Sequence, residues 1–371
     1  MSQNSTGKAR IESLQALRAW AFLGIFFSHA GFFISWSSLG VSVFFVMSGF
    51  LMSYHYDAVE LPTSPENRLS FSWNKIKKLY PLHLITMVFA VVLYLIVTAR
   101  IGITPKKIIG LVGKIALHVT LTQTWVPYNP INVSLNGVAW YLSVTLFLYF
   151  MFPRIKQVVE RHAPPGRLAL PRLCALCGLI LAAEIAACIP FIVFFGVHSP
   201  VYTWFMYCFP VFRMGDFFIG CVMKRVFFEC HVKDMGTAKA TILELLATAI
   251  TVLVYLWLSK PGGNIASAAL HNATTAYIPL AALWVMLFAA NRGLLTRLLS
   301  NPVTRFIGNI SAHAFLIHFV ITEYASHCLS FMGIRVDGWG RVLLVSAELL
   351  LSIGLSLLYK RLHGKCVAKK A

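Results

Sequence analysis

Ten stretches of this chain are apolar for about the length a helix needs to cross a bilayer, and they recur from one end to the other. They lie near 14–35, 39–56, 79–99, 138–153, 172–196, 202–222, 241–259, 272–290, 306–325 and 341–359. A hydrocarbon core of about 30 Å takes about 20 helical residues to span. In lipid every backbone N–H and C=O must be satisfied internally, so runs of this length fold as helices. Composition agrees: 58% of the 371 residues are apolar and 12% charged, with mean hydropathy +0.73. Soluble domains carry about twice that charge. A water-soluble globular enzyme is excluded, and an all-α bundle of ten transmembrane helices is predicted, forming one domain over 1–371.

Charge placement predicts how the bundle sits. The formal charge is +19, from 32 Lys and Arg against 13 Asp and Glu. With ten spans and a cytosolic N-terminus, the inner segments carry 24 of the 32 cations, the outer ones carry seven, and Arg213 falls inside a span. That asymmetry obeys the positive-inside rule and sets both termini in the cytosol. The segment 106–124 is interrupted by Lys107, Lys114 and His118. Counting it as an eleventh span sends 17 inner cations outward, so it is expected to be interfacial or re-entrant at the outer face. The basic excess is thus mainly a topology signal, with a secondary attraction for anionic lipid or phosphate; no nucleic-acid partner is implied. The first apolar run has no small-residue cleavage pattern behind it and reads as an uncleaved helix of a multi-pass protein of the cytoplasmic membrane. Segment 154–172, with Ala163-Pro164-Pro165-Gly166, is the expected flexible connection. Eight scattered cysteines, with one close pair at Cys174 and Cys177, make no metal site.

Ionisable groups at membrane depth are costly unless paired or facing a cavity, so each marks a candidate site. Arg18 and His29, eleven residues apart, fall on one face of the first helix about 16 Å apart along its axis. A cation at the cytosolic mouth with an imidazole near mid-membrane suits a long, phosphate-headed acyl donor. The same two residues also read as a snorkelling arginine and a histidine bonded to a neighbouring helix. Ser48, in Phe44-Phe45-Val46-Met47-Ser48-Gly49-Phe50, lies at a depth to bond His29, while Gly49 permits close helix approach. Lys75, Lys77 and Lys78 collect before the third run, as a phosphate site or a topology anchor. Trp140 opens Trp140-Tyr141-Leu142-Ser143 as an interfacial aromatic. Arg213 and Asp216 stand at ion-pair spacing, and His318 is either a partner of Glu323 or a cavity residue. Glu184, Glu348 and His83 are weaker candidates of the same kind.

Taken in order along nearly the whole chain, these motifs resemble the membrane acyltransferase-3 family. The match rests on Arg18-x10-His29, the Phe44–Phe50 stretch, the basic stretch ending Tyr80-Pro81-Leu82-His83, Trp140–Ser143, Arg213–Gly220, and Gly308-Asn309-Ile310-Ser311 with Phe315-Leu316-Ile317-His318. The resemblance implies an integral-membrane O-acyltransferase. It would move an acyl group, usually acetyl, from cytosolic acyl-CoA to a hydroxyl of a cell-surface or lipid-linked carbohydrate. It makes His29 the catalytic base or transient acyl carrier and Arg18 its catalytic and donor-holding partner. Lys75, Lys77 and Lys78 then join Arg18 in binding acyl-CoA, while Ser48, Trp140, Arg213, Asp216 and His318 line the substrate pocket, with no metal. The sequence departs from the family pattern where lysines stand for arginines before the third helix, where Thr145 stands for a glutamate, and where Phe315 stands for a tyrosine. The chain ends shortly after its last helix, so an appended extracytoplasmic domain is not expected and a separate extracytoplasmic transferase becomes a candidate partner. A multi-span transporter or flippase for a lipid-linked glycan is the alternative reading.

Overall fold

The computed structural model describes residues 10–32, 37–164, 166–258 and 274–368. The edges of three predicted runs (33–35, 259 and 272–273), together with Lys8, Pro165, Lys260, Lys369 and Lys370, lie outside them. Every regular element among the described residues is helical. In chain order these are α1 (Ser13–His29), α2 (Ser37–His55), α3 (Pro65–Ile76), α4 (Tyr80–Ile101), α5 (Pro105–Val119), α6 (Asn129–Asn132), α7 (Trp140–His162) and α8 (Ala169–Phe195). There follow α9 (Pro200–Thr203), α10 (Met214–Glu229), α11 (Thr237–Leu258), α12 (Ile278–Ala290), α13 (Leu294–Leu299), α14 (Pro302–Met332) and α15 (Gly338–Ala368).

Seven of these, α2, α4, α7, α8, α11, α14 and α15, are long and apolar enough to cross a membrane. The chain is therefore an all-α, multi-pass membrane protein. The remaining three predicted runs are helical but shorter or broken. Helix α1 has 17 residues and α12 has 13. The run at 202–222 is interrupted: α9 passes into a π-helical turn at Trp204–Cys208, extended backbone follows at Phe209, and α10 begins only at Met214. Pro210 accounts for the break, since it has no N–H to give and its ring clashes with the preceding turn.

Local sequence chemistry marks several helix starts. Ser64, Thr104, Ser199 and Asn301 each precede a proline and accept a hydrogen bond from the backbone N–H three residues on. The side chain satisfies one orphan N–H, and proline fills a position whose N–H had no partner. The expected flexible connection is shorter than read, because α7 continues through Pro153 to His162. Phe152, Ile155 and Val159 stay buried on one face, so packing carries the helix past the proline.

The bundle closes on two backbone contacts. A Cβ on Gly49 of α2 would overlap the carbonyl oxygen of Phe217 on α10, and a Cβ on Gly220 of α10 would overlap that of Val46. A third contact sets Gly308 of α14 against the carbonyl of Gln15 on α1. Lipid supplies no hydrophobic drive between spans, so close backbone packing of this kind holds them. In the segment at 106–124, α5 folds back toward the start of α4: Tyr80 OH donates to the Val119 carbonyl at 2.7 Å, and His83 Nε2 donates to the His118 carbonyl at 3.0 Å.

Candidate active site

A cavity of about 840 Å³, counting its open mouth, lies between α1, α2, α7, α14 and the α3–α4 corner. Helical spacing presents its polar wall. Tyr141, Thr145 and Tyr149 recur every four residues on α7, and Ser311 and Phe315 do so on α14. Ser48 projects between the tyrosines and hydrogen-bonds both phenols. It does not reach His29, as the sequence reading had allowed, because the tyrosines of α7 occupy its hydroxyl.

Two cations face this space. Arg18 is half-buried and its guanidinium meets, among the described residues, Gln15 Oε1 at 3.4 Å, one turn earlier on α1. Lys75 Nζ donates to Tyr56 OH and lies 4.4 Å from the centre of that ring. Among the described residues neither has a carboxylate partner. A phosphate oxygen 4 Å from either cation gains about 4 kcal/mol at a dielectric typical of a protein surface. Lys77 and Lys78 are exposed and off the cavity, with Lys77 Nζ held by Asn74 Oδ1 at 2.7 Å.

His29 lies deeper on α1. Its Nδ1 is 2.9 Å from Nε2 of His318 on α14, and the two rings stack at 5.2 Å with 13° between their planes. His318 is fully buried, edged by Phe22 and Phe26. It does not pair with Glu323, whose carboxylate lies 3.8 Å from His327 one turn on. One aromatic layer separates the histidines from the cavity: Phe315 lines the space and packs on His318 at 5.8 Å. On the far side, Phe319 meets the His29 ring edge-on at 5.3 Å.

Arg213, Asp216 and Trp140 lie behind the cavity wall. Arg213 and Asp216 form a fully buried ion pair at 3.2 Å. The Arg213 guanidinium also reaches Ser42 at 3.5 Å and covers the ring of Phe45. Phe45 stacks on Tyr141 at 4.6 Å, so the pair backs the cavity lining without touching the space. Trp140 is buried against Tyr207 and Phe45. Glu184 accepts from Thr275 at 2.8 Å, while His83 ties α4 to α5. Tyr149 was not singled out in the sequence, although its four-residue spacing with Thr145 and Tyr141 was the available signal.

The array offers an anion-binding mouth, a hydroxyl-lined wall and an imidazole pair beyond one aromatic ring. Comparison with known proteins supplies the family. The family model described as an acyltransferase domain matches residues 11–361. The acyltransferase MdmB of Streptomyces mycarofaciens is 27% identical over 339 residues, covering 85% of this chain and 80% of that protein. No solved structure matches the chain. Motif order, helical architecture and a family match over nearly the whole length lead to one conclusion: the chain belongs to the acyltransferase-3 family and is a membrane enzyme that transfers acyl groups.

Proposed function

We propose that this enzyme takes an acetyl group from cytosolic acyl-CoA and esterifies a hydroxyl of a cell-surface or lipid-linked carbohydrate. It works from ten spans in the cytoplasmic membrane with both termini in the cytosol. The observation that carries this reading is the pair of cations, Arg18 and Lys75, facing one cavity with no carboxylate among the described residues to neutralise them. A coenzyme A phosphate supplies the missing negative charge. Two cations from separate helices fix the donor's head while its pantetheine arm extends inward.

A hydroxyl is a poor nucleophile until a base takes its proton. In the proposed step His29 Nε2 accepts the acceptor's O–H proton as that oxygen attacks the thioester carbonyl. A C–O bond forms, the C–S bond breaks, and the departing thiolate takes the proton from the imidazolium. CoA thiol and an ester are the products. Ser48, Tyr141 and Tyr149 supply hydroxyl donors along the path. A separate extracytoplasmic transferase, receiving the ester for hand-on, is a fitting partner.

The test uses membranes from a strain lacking the chromosomal copy, complemented with wild type or with His29→Ala and given radiolabelled acetyl-CoA. Wild type is expected to place alkali-labile label in the membrane or glycan fraction, and His29→Ala to lower it by about a hundredfold or more. Undiminished transfer by His29→Ala rejects the assignment. Mass spectrometry of surface glycans from the deletion strain identifies the acceptor as the species that loses an ester.

A further inference from the structure

We infer that His318 is a positioning residue that fixes which nitrogen of His29 carries the proton, leaving His29 Nε2 as the free lone pair. The inference rests on the proposed role of His29 as base and adds the residue that makes it one. His318 Nδ1 lies 3.2 Å from the Ala314 oxygen, one turn back on α14. A carbonyl only accepts, so His318 Nδ1 is protonated and donates. The ring is fully buried among Phe22, Phe26 and Phe315; besides the Ala314 carbonyl its polar neighbours are the adjacent Phe315 carbonyl of the same turn, which likewise can only accept, and His29. A second ring proton would place an uncompensated cation in that aromatic shell at a cost of several kcal/mol. His318 Nε2 is therefore a bare acceptor.

The contact at 2.9 Å then has one polarity: His29 Nδ1–H donates to His318 Nε2. In a neutral imidazole that leaves His29 Nε2 without a proton. No described residue bonds this nitrogen, and it is not among the sealed, unpartnered polar atoms. His29 is half-buried where His318 is wholly buried, so the free lone pair is on the more open partner. An isolated imidazole prefers its proton on Nε2, so the relay from Ala314 reverses the intrinsic preference. The logic is that of a catalytic base held in its working tautomer by a buried neighbour, with a histidine and a carbonyl in place of a carboxylate. His318 holds the base and touches neither donor nor acceptor.

Two readouts on the full-length protein test this. The first is nitrogen-15 NMR of histidine-labelled protein in lipid bilayers, with the His29 signals assigned by loss in His29→Ala. Wild type is expected to show His29 protonated at Nδ1 and bare at Nε2. In His318→Phe, which keeps the ring and its packing, the proton is expected to move to Nε2. The second is the membrane transfer assay with radiolabelled acetyl-CoA. His318→Phe is expected to lower the maximal rate roughly tenfold or more with KM for acetyl-CoA unchanged. His318→Gln, whose amide oxygen still accepts from Nδ1–H, is expected to recover a good part of it. A wild-type His29 protonated at Nε2 overturns the inference, as does a His318→Phe enzyme within twofold of wild type, or a Gln variant no better than Phe. Should the Phe variant fail to fold, the wild-type spectrum and the Gln variant still decide. Absence of transfer by wild type would strike the proposed function instead, leaving the spectrum to judge His318.

Discussion

At the residue scale, the cavity is defined by charges left unpaired and by one ring. If Arg18 and Lys75 hold donor phosphate, then Arg18→Ala and Lys75→Ala each raise KM for acetyl-CoA, by roughly tenfold or more, and sensitivity to added salt falls with them. Arg18→Lys is expected to recover only part of this, since a point charge replaces a bidentate fork. Steady-state transfer measured at two ionic strengths checks both. Phe315 is the layer between cavity and histidines. Phe315→Ala removes it, so a competition between acetyl-, butyryl- and hexanoyl-CoA is expected to shift toward the longer donors. Unchanged preference would show that acyl length is set elsewhere. The sequence singled out Arg18 and His29 as ionisable residues of one apolar run at a spacing that shares a helix face; in the structure Arg18 lines the cavity and His29 meets His318. Their partners were not legible. Glu323 stands five residues from His318, one beyond the i,i+4 spacing that it keeps with His327, and the partner of His318 is a residue 289 positions away.

At the element scale, α2 and α10 meet backbone to backbone through Gly49 and Gly220. An added methyl overlaps a main-chain oxygen at either site, and backbone cannot rotate aside as a side chain would. Gly49→Ala and Gly220→Ala are each expected to lower the thermal midpoint of the detergent-solubilised protein by several degrees, and Gly49→Val to abolish the monodisperse species in size exclusion. Gly102→Ala, where α4 ends at φ 94° with open space around it, is strained only by its conformation and serves as the milder comparison. Helix starts were readable because a capping side chain and a proline act locally. The break between α9 and α10 announced itself only through Pro210, inside a run whose hydropathy is uninterrupted. Hydropathy sums over a window and does not register one missing N–H.

At the scale of the whole molecule, charge asymmetry predicts which side each loop takes. A single cysteine at Arg161 in a background without native cysteines is expected to react with a membrane-impermeant maleimide only after the cells are opened, and one at Arg335 to react in intact cells. The reverse pattern would overturn the cytosolic placement of the termini. The return of α5 toward the start of α4 rests on His83, Tyr80 and the His118–Val119 carbonyls. These contacts tie the segment, with its three interrupting polar residues, to the start of α4.

By itself the sequence determined that the chain is helical and crosses a membrane repeatedly, because lipid leaves a long apolar run no other way to satisfy its backbone. It also determined the family, through motifs whose order survives even where single residues depart from the pattern. Tertiary structure decided which of the singled-out residues share a space. Arg18, Ser48 and Lys75 come from three helices to one cavity, Arg213 and Asp216 turn away from it, and His318 meets His29. Periodicity gives the face of a helix but not its neighbour, since which faces meet depends on packing among spans far apart in the chain.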